Sequence, residues 1–198
     1  LRGIVMGDNA AVTNAAGGVI QYSFSSSYAS TLMGIRGSAN NRVVNDGTVL
    51  APMFLTGGGT VVNRGTIVGR SGIAIQFGGT NASRLVLESG PAITGGTVNG
   101  SAAGSNTLEL AGSTGTIVGL GTNYQRFEQV VVDANASWSI DGVLAAGQTI
   151  SGAGTLAALT AFTNAGRVLN GFGVTTGATL TNTGTIGGGA TAAVLASN

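Results

Sequence analysis

Short apolar runs alternate with Gly, Asn, Ser and Thr along the whole chain, and none keeps a helical spacing long enough to predict a helix. Four stretches share one pattern: Val43-Val44-Asn45-Asp46-Gly47-Thr48-Val49, Val61-Val62-Asn63-Arg64-Gly65-Thr66-Ile67, Phe162-Thr163-Asn164-Ala165-Gly166-Arg167-Val168 and Leu180-Thr181-Asn182-Thr183-Gly184-Thr185-Ile186. In each, an apolar residue stands two before an Asn, a Gly two after it, and an apolar residue two further on. Asn45 and Asn63 are 18 positions apart, as are Asn164 and Asn182, a period at which supersecondary units stack on one another. Val12-Thr13-Asn14-Ala15-Ala16-Gly17-Gly18-Val19 is a looser copy with one inserted residue.

Between about 81 and 160 the Asn-Gly pattern disappears, but strand-sized pieces continue at Arg84–Leu87, Thr107–Leu110, Gly115–Val118, Glu128–Val132 and Ser137–Ile140. Leu85 to Leu108 spans 23 positions and Leu108 to Val130 spans 22, so coils of a different length are expected there. Val143–Ala146 and Leu156–Ala161 are ambiguous between strand and helix. Gln21–Tyr28 alternates Ser with aromatics and reads as a surface loop in preference to a strand. The fold expected is all-β, a single-stranded parallel β-helix of roughly ten coils at about 20 residues each, on the order of 45 to 50 Å long.

The ladder and corner residues are then Asn14, Asn45, Gly47, Asn63, Gly65, Asn164, Gly166, Asn182 and Gly184. Asn side chains stacked about 4.8 Å apart can donate to one rung and accept from the other. Asn also tolerates a left-handed corner, which the following Gly would complete. Gly57-Gly58-Gly59 and Gly78-Gly79 are read as further corners. One continuous domain over 1–198 is expected, with Asn-Gly rungs at 1–80 and 161–198 around longer rungs at 81–160. The start lacks the character of a signal peptide, so the chain reads as a segment of a longer protein.

Composition narrows the function classes. Glycine reaches 36 residues with only 2 Pro, while 43% hydrophobic content argues against disorder. Seven acidic residues and eight Arg are scattered singly for a net charge of +1, which gives no basic stripe for nucleic acid. No apolar run is long enough for a membrane helix. Cysteine is absent, which suits a cytosolic protein and equally one crossing an oxidising compartment unfolded.

Two segments go beyond a generic solenoid. Ser105–Gly112 runs into Gly115–Ile140 as a Leu-x-Leu strand, Gly119-Leu120-Gly121-Thr122, an aromatic-Glu-x-Val-x-Val strand and Ala136-Ser137-Trp138; Gly152–Leu156 is followed by Thr-Asn-x-Gly rungs at 163–166 and 181–186. This order resembles the passenger regions of bacterial autotransporters of the type V secretion pathway. The resemblance implies a right-handed β-helix exported across the outer membrane to the cell surface. It implies an adhesive or stalk-like role, with a host-cell or matrix surface, or neighbouring copies of the chain, as partners. Association through the solenoid ends into oligomers or filaments is a further expectation.

Chemistry is sparsely represented. Without His or Lys, the usual Ser-His and Ser-Lys nucleophile arrangements have no base, and no catalytic residue, cofactor or metal site is assigned. Glu128, Asp133 and Asp141 are the best carboxylates for a carbohydrate-active β-helix, the alternative reading, if two of them converge. Trp138, Tyr124 and Phe127 suit core or corner packing better than sugar stacking. Thr183 and Thr185 would serve an ice- or crystal-binding face only if Thr-x-Thr recurred on successive coils.

Overall fold

A computed structural model describes residues 2–21, 33–88, 90–169, 171–187 and 194–196. Within them are 21 strands, every described pairing is parallel, and there is no helix. The chain is a β-solenoid whose coils place strands on three faces.

The first face stacks β2 (Ala11–Asn14), the ends of β4 (Met33–Asn45) and β6 (Met53–Asn63), β8 (Ser83–Leu87), β10 (Asn106–Leu110), β13 (Gln129–Val132), β15 (Thr149–Gly152), β17 (Arg167–Val168) and β20 (Thr185–Ile186). Nine rungs stand in this column, slightly fewer than ten, because several coils take more than 20 residues. Asn14 pairs with Asn45 across 31 positions.

The second face begins with β3 (Val19–Ile20), β5 (Thr48–Val49) and the starts of β7 (Thr66–Phe77) and β9 (Ala92–Asn99). It resumes with β11 (Thr114–Leu120) and the starts of β14 (Ser137–Leu144) and β16 (Thr155–Asn164), then β18 (Phe172–Val174) and β21 (Val194–Ala196). The third face holds β1 (Arg2–Met6), the starts of β4 and β6, the ends of β7 and β9, β12 (Tyr124–Gln125), Leu120, the ends of β14 and β16, and β19 (Thr179–Asn182).

Side-chain alternation fills the interior. Val43, Val61, Leu85, Leu108, Val130, Ile150 and Val168 stack in register, all buried, so the 23- and 22-residue spacings are the lengths of real coils. The position after Val43, Val61 and Leu85 points outward, yet Val44, Val62 and Val86 are also buried and form a small second cluster with Ala111. Beyond them in the chain, Arg64 bonds Asp46 at 3.1 Å and Glu88 at 2.7 Å, tying three successive coils together. These ion pairs hold the Arg64 guanidinium above its ordinary pKa, Glu88 more than Asp46.

Of the ambiguous segments, Leu156–Ala161 lies inside β16, and Val143–Ala146 divides, with Val143 and Leu144 ending β14 and Ala145 and Ala146 leading into a turn. Gly57-Gly58-Gly59 turns the chain between faces without leaving β6, with Gly58 and Gly59 at φ of 75° and 137°. In the expected loop at 21–28, only Gln21 lies within the described residues, and it is exposed.

Candidate functional site

Two asparagine ladders organise the corners. Asn14 donates through Nδ2 to Asn45 Oδ1, and Asn45 donates in turn to Asn63 Oδ1, each at 2.8 Å. The second hydrogen on each amide reaches a backbone carbonyl of the following coil, Thr48 O and Thr66 O, at 3.1 Å. Asn63 ends the row, because the next residue in register is Leu87, and its amide turns to Gly65 O. Asn164 donates to Asn182 Oδ1 at 2.8 Å and to Thr185 O at 3.2 Å. Asn45, Asn63 and Asn164 have no exposed surface, so their amides are occupied inside the fold.

The two ladders occupy different corners. Asn14, Asn45 and Asn63 end first-face strands, whereas Asn164 and Asn182 end third-face strands and lead into β17 and β20 of the first face. The shared sequence pattern suggests a single column, but register separates them.

The expected left-handed corners are corrected at all nine ladder and corner residues, none of which has positive φ. The glycines are required by close approach instead. A Cβ on Gly65 would stand 2.1 Å from Gly47 O, one on Gly184 2.2 Å from Gly166 O, and those on Gly47 and Gly166 2.3 and 2.4 Å from the carbonyls of Gly18 and Gln148. The same carbonyls accept backbone N–H bonds from the next coil: Thr48 N to Gly18 O, Thr66 N to Gly47 O and Thr185 N to Gly166 O. The Gly therefore lets one coil's backbone settle directly on the previous one.

The three carboxylates are dispersed. Glu128 and Asp133 flank β13, five positions apart, which along a strand is roughly 16 Å. Glu128 accepts from the Asn106 backbone N–H at 2.7 Å and from its amide at 3.3 Å. Asp141 accepts from Thr160 N, Ala161 N and Thr160 Oγ1 at 2.7, 3.0 and 2.8 Å. Desolvation alone would raise the Asp141 pKa, but these three bonds outweigh it and hold the carboxyl below its ordinary value. Each bond ties one coil to another, which is a structural use of the carboxylate. Among the described residues no group of three or more His, Cys, Asp or Glu could hold a metal ion.

Trp138 and Phe127 are buried in the core. The indole lies over Gly115, where a Cβ would come within 2.4 Å of the ring, and Nε1 donates to Ala111 O at 3.1 Å. Tyr124 differs: it is half-buried, and desolvation pushes its phenol up to about 12. It borders a cavity of about 510 Å³ lined by β9, Thr116, Val118 and Asn123.

That cavity marks an irregularity in the coil. On the third face Val98 pairs with Tyr124, Tyr124 with Leu120, and Leu120 with Gly142. Val98 and Tyr124 are thus 26 positions apart, against 22 for Leu108 and Val130 on the first face. The four extra residues fold back through Gly119 and Gly121, at φ of 84° and 82°, so that one coil contributes two rungs to the third face. On the second face it contributes only β11, which pairs with β14 but not with β9. The coils are adjacent on the first face and splay apart across the second, leaving a wedge that the sequence reading does not identify. Its only sequence signal is the closely spaced pair Gly119 and Gly121.

Comparison with known proteins finds no matching family model, no similar curated protein and no similar solved structure.

Proposed function

We propose that this chain is a rigid segment of a bacterial surface or secreted passenger of the autotransporter type, holding an adhesive side surface away from the cell. The carrying observation is that the amides of Asn14, Asn45 and Asn164 each bond the next coil, to Asn45, Asn63 and Asn182, so that successive coils are tied side chain to side chain near both ends of the stack. Such a body suits reach and lateral contact, and the order of motifs from Ser105 to Ile140 supports the family reading.

The test is attachment of beads coated with the purified chain to epithelial monolayers and to immobilised collagen, laminin and fibronectin. Saturable attachment that free chain competes away is the expected result. Absence of attachment to every surface overturns the adhesive role. Light scattering on the same preparation checks for filaments, whose concentration-dependent growth would replace adhesion with self-assembly.

A further inference from the structure

The wedge between β9 and β11 is bounded by two strand edges. Ala92, Ile93, Thr94 and Gly96 pair with β7 on one side, and β11 pairs with β14 on its far side; among the described residues no pairing joins β9 to β11. On the third face the same level is filled by β12, lying between Val98 and Leu120. The second face therefore lacks the rung that would run in line with β12.

We propose that this wedge is a binding site for an extended, uncharged peptide strand that completes the sheet by main-chain hydrogen bonds to both edges. A strand edge is a template for strand addition, and a site with one on each side holds the added strand from both, up to the Tyr124 end, where Val118 O already accepts from the Asn123 amide at 3.1 Å. Charge complementarity selects the occupant. None of the residues lining the cavity carries a charge, so a charged strand would be desolvated there without a counter-ion. Thr94, Gly95 and Thr116 are exposed at its mouth and Ile93 is half-buried, which favours small or β-branched side chains. At one end Tyr124 and Asn123 close the wedge, and Val98 N–H already bonds Asn123 O at 2.7 Å, which fixes how far a strand can enter. The site is independent of what the outer surface of the rod adheres to.

The probe is a capped peptide of sequence Thr-Gly-Thr-Ile-Val-Gly, copying residues 114–119, titrated into isotope-labelled chain and followed by two-dimensional NMR. Saturable shifts at the amides of residues 92–96 and 116–118 are expected. Two further peptides, N-methylated at positions 1, 3 and 5 or at 2, 4 and 6, remove the donors of one side each. Both should bind about tenfold more weakly, since a strand between two edges uses both sets. Absence of binding, or shifts confined to the terminal coils, overturns the proposal. So does weakening by only one methylated set, which is the pattern of addition to a single edge. Neutral oligosaccharide shifting the same amides while the peptide does not would make the wedge a sugar site instead.

Discussion

An asparagine inside the first ladder has two neighbours that depend on it. Removing the side chain of Asn45 strips Asn14 of the shortest of its three acceptor contacts and leaves Asn63 Oδ1 without its donor, both at buried positions. Leaving such groups unsatisfied costs about 1–3 kcal/mol each, so Asn45→Ala should lower stability by roughly 2–4 kcal/mol. Asn182 is exposed, and Asn182→Ala should cost about 1 kcal/mol or less. Urea unfolding followed by circular dichroism of the two variants checks the contrast; equal losses would mean that the ladder does not act as a connected row. Tyr124 gives a pH signature. Its folded pKa, about 12, lies above the ordinary value of 10.0, so the neutral phenol is favoured by the fold. Its contribution is fully present below pH 10 and is lost as pH rises toward 12, and Tyr124→Phe should flatten that alkaline decline.

At the scale of strands, the aliphatic alternation of Val61, Leu85, Leu108 and Val130 was legible because it is enforced by burial on every coil. A one-residue slip would turn the whole row outward. The asparagine-to-asparagine bonds were legible for the same reason, as a stacked amide has few other partners. Two things were not. The corner at which a ladder sits depends on accumulated coil lengths, and the seven-residue pattern carries no record of them. The role of Gly47 and Gly65 is set by the carbonyl of the preceding coil, a contact invisible in local sequence. Even the wedge arises from only four extra residues in one coil, in a turn where Leu120 pairs both with Tyr124 and with Gly142, 22 positions further on.

Across the whole molecule, stability is nearly a sum of neighbouring coil contacts. The β9–β11 step is the one place among the described second-face strands before β21 where a coil lacks its lateral pairing. Heating or denaturant should therefore uncouple the coils up to β9 from those beginning at β11 before either group melts. Native-state hydrogen exchange tests this: amides of residues 92–96 and 116–118 should exchange through a lower-energy opening than those of Val61 and Val130. Uniform protection along the rod would show that contacts on the first and third faces keep the stack cooperative without the second.

The displacement of the asparagine row from one corner to another bears on how such a rod can lengthen. The same Asn-x-Gly cassette closes the end of a first-face strand at Asn45 and of a third-face strand at Asn164. It is portable between positions around the circumference, so the smallest piece that can be copied and still fit is a bend, about a third of a coil. Growth in such increments moves every downstream side chain to a new azimuth while the inward aliphatic row closes again, and lengthening the rod thereby also rotates the surface it displays.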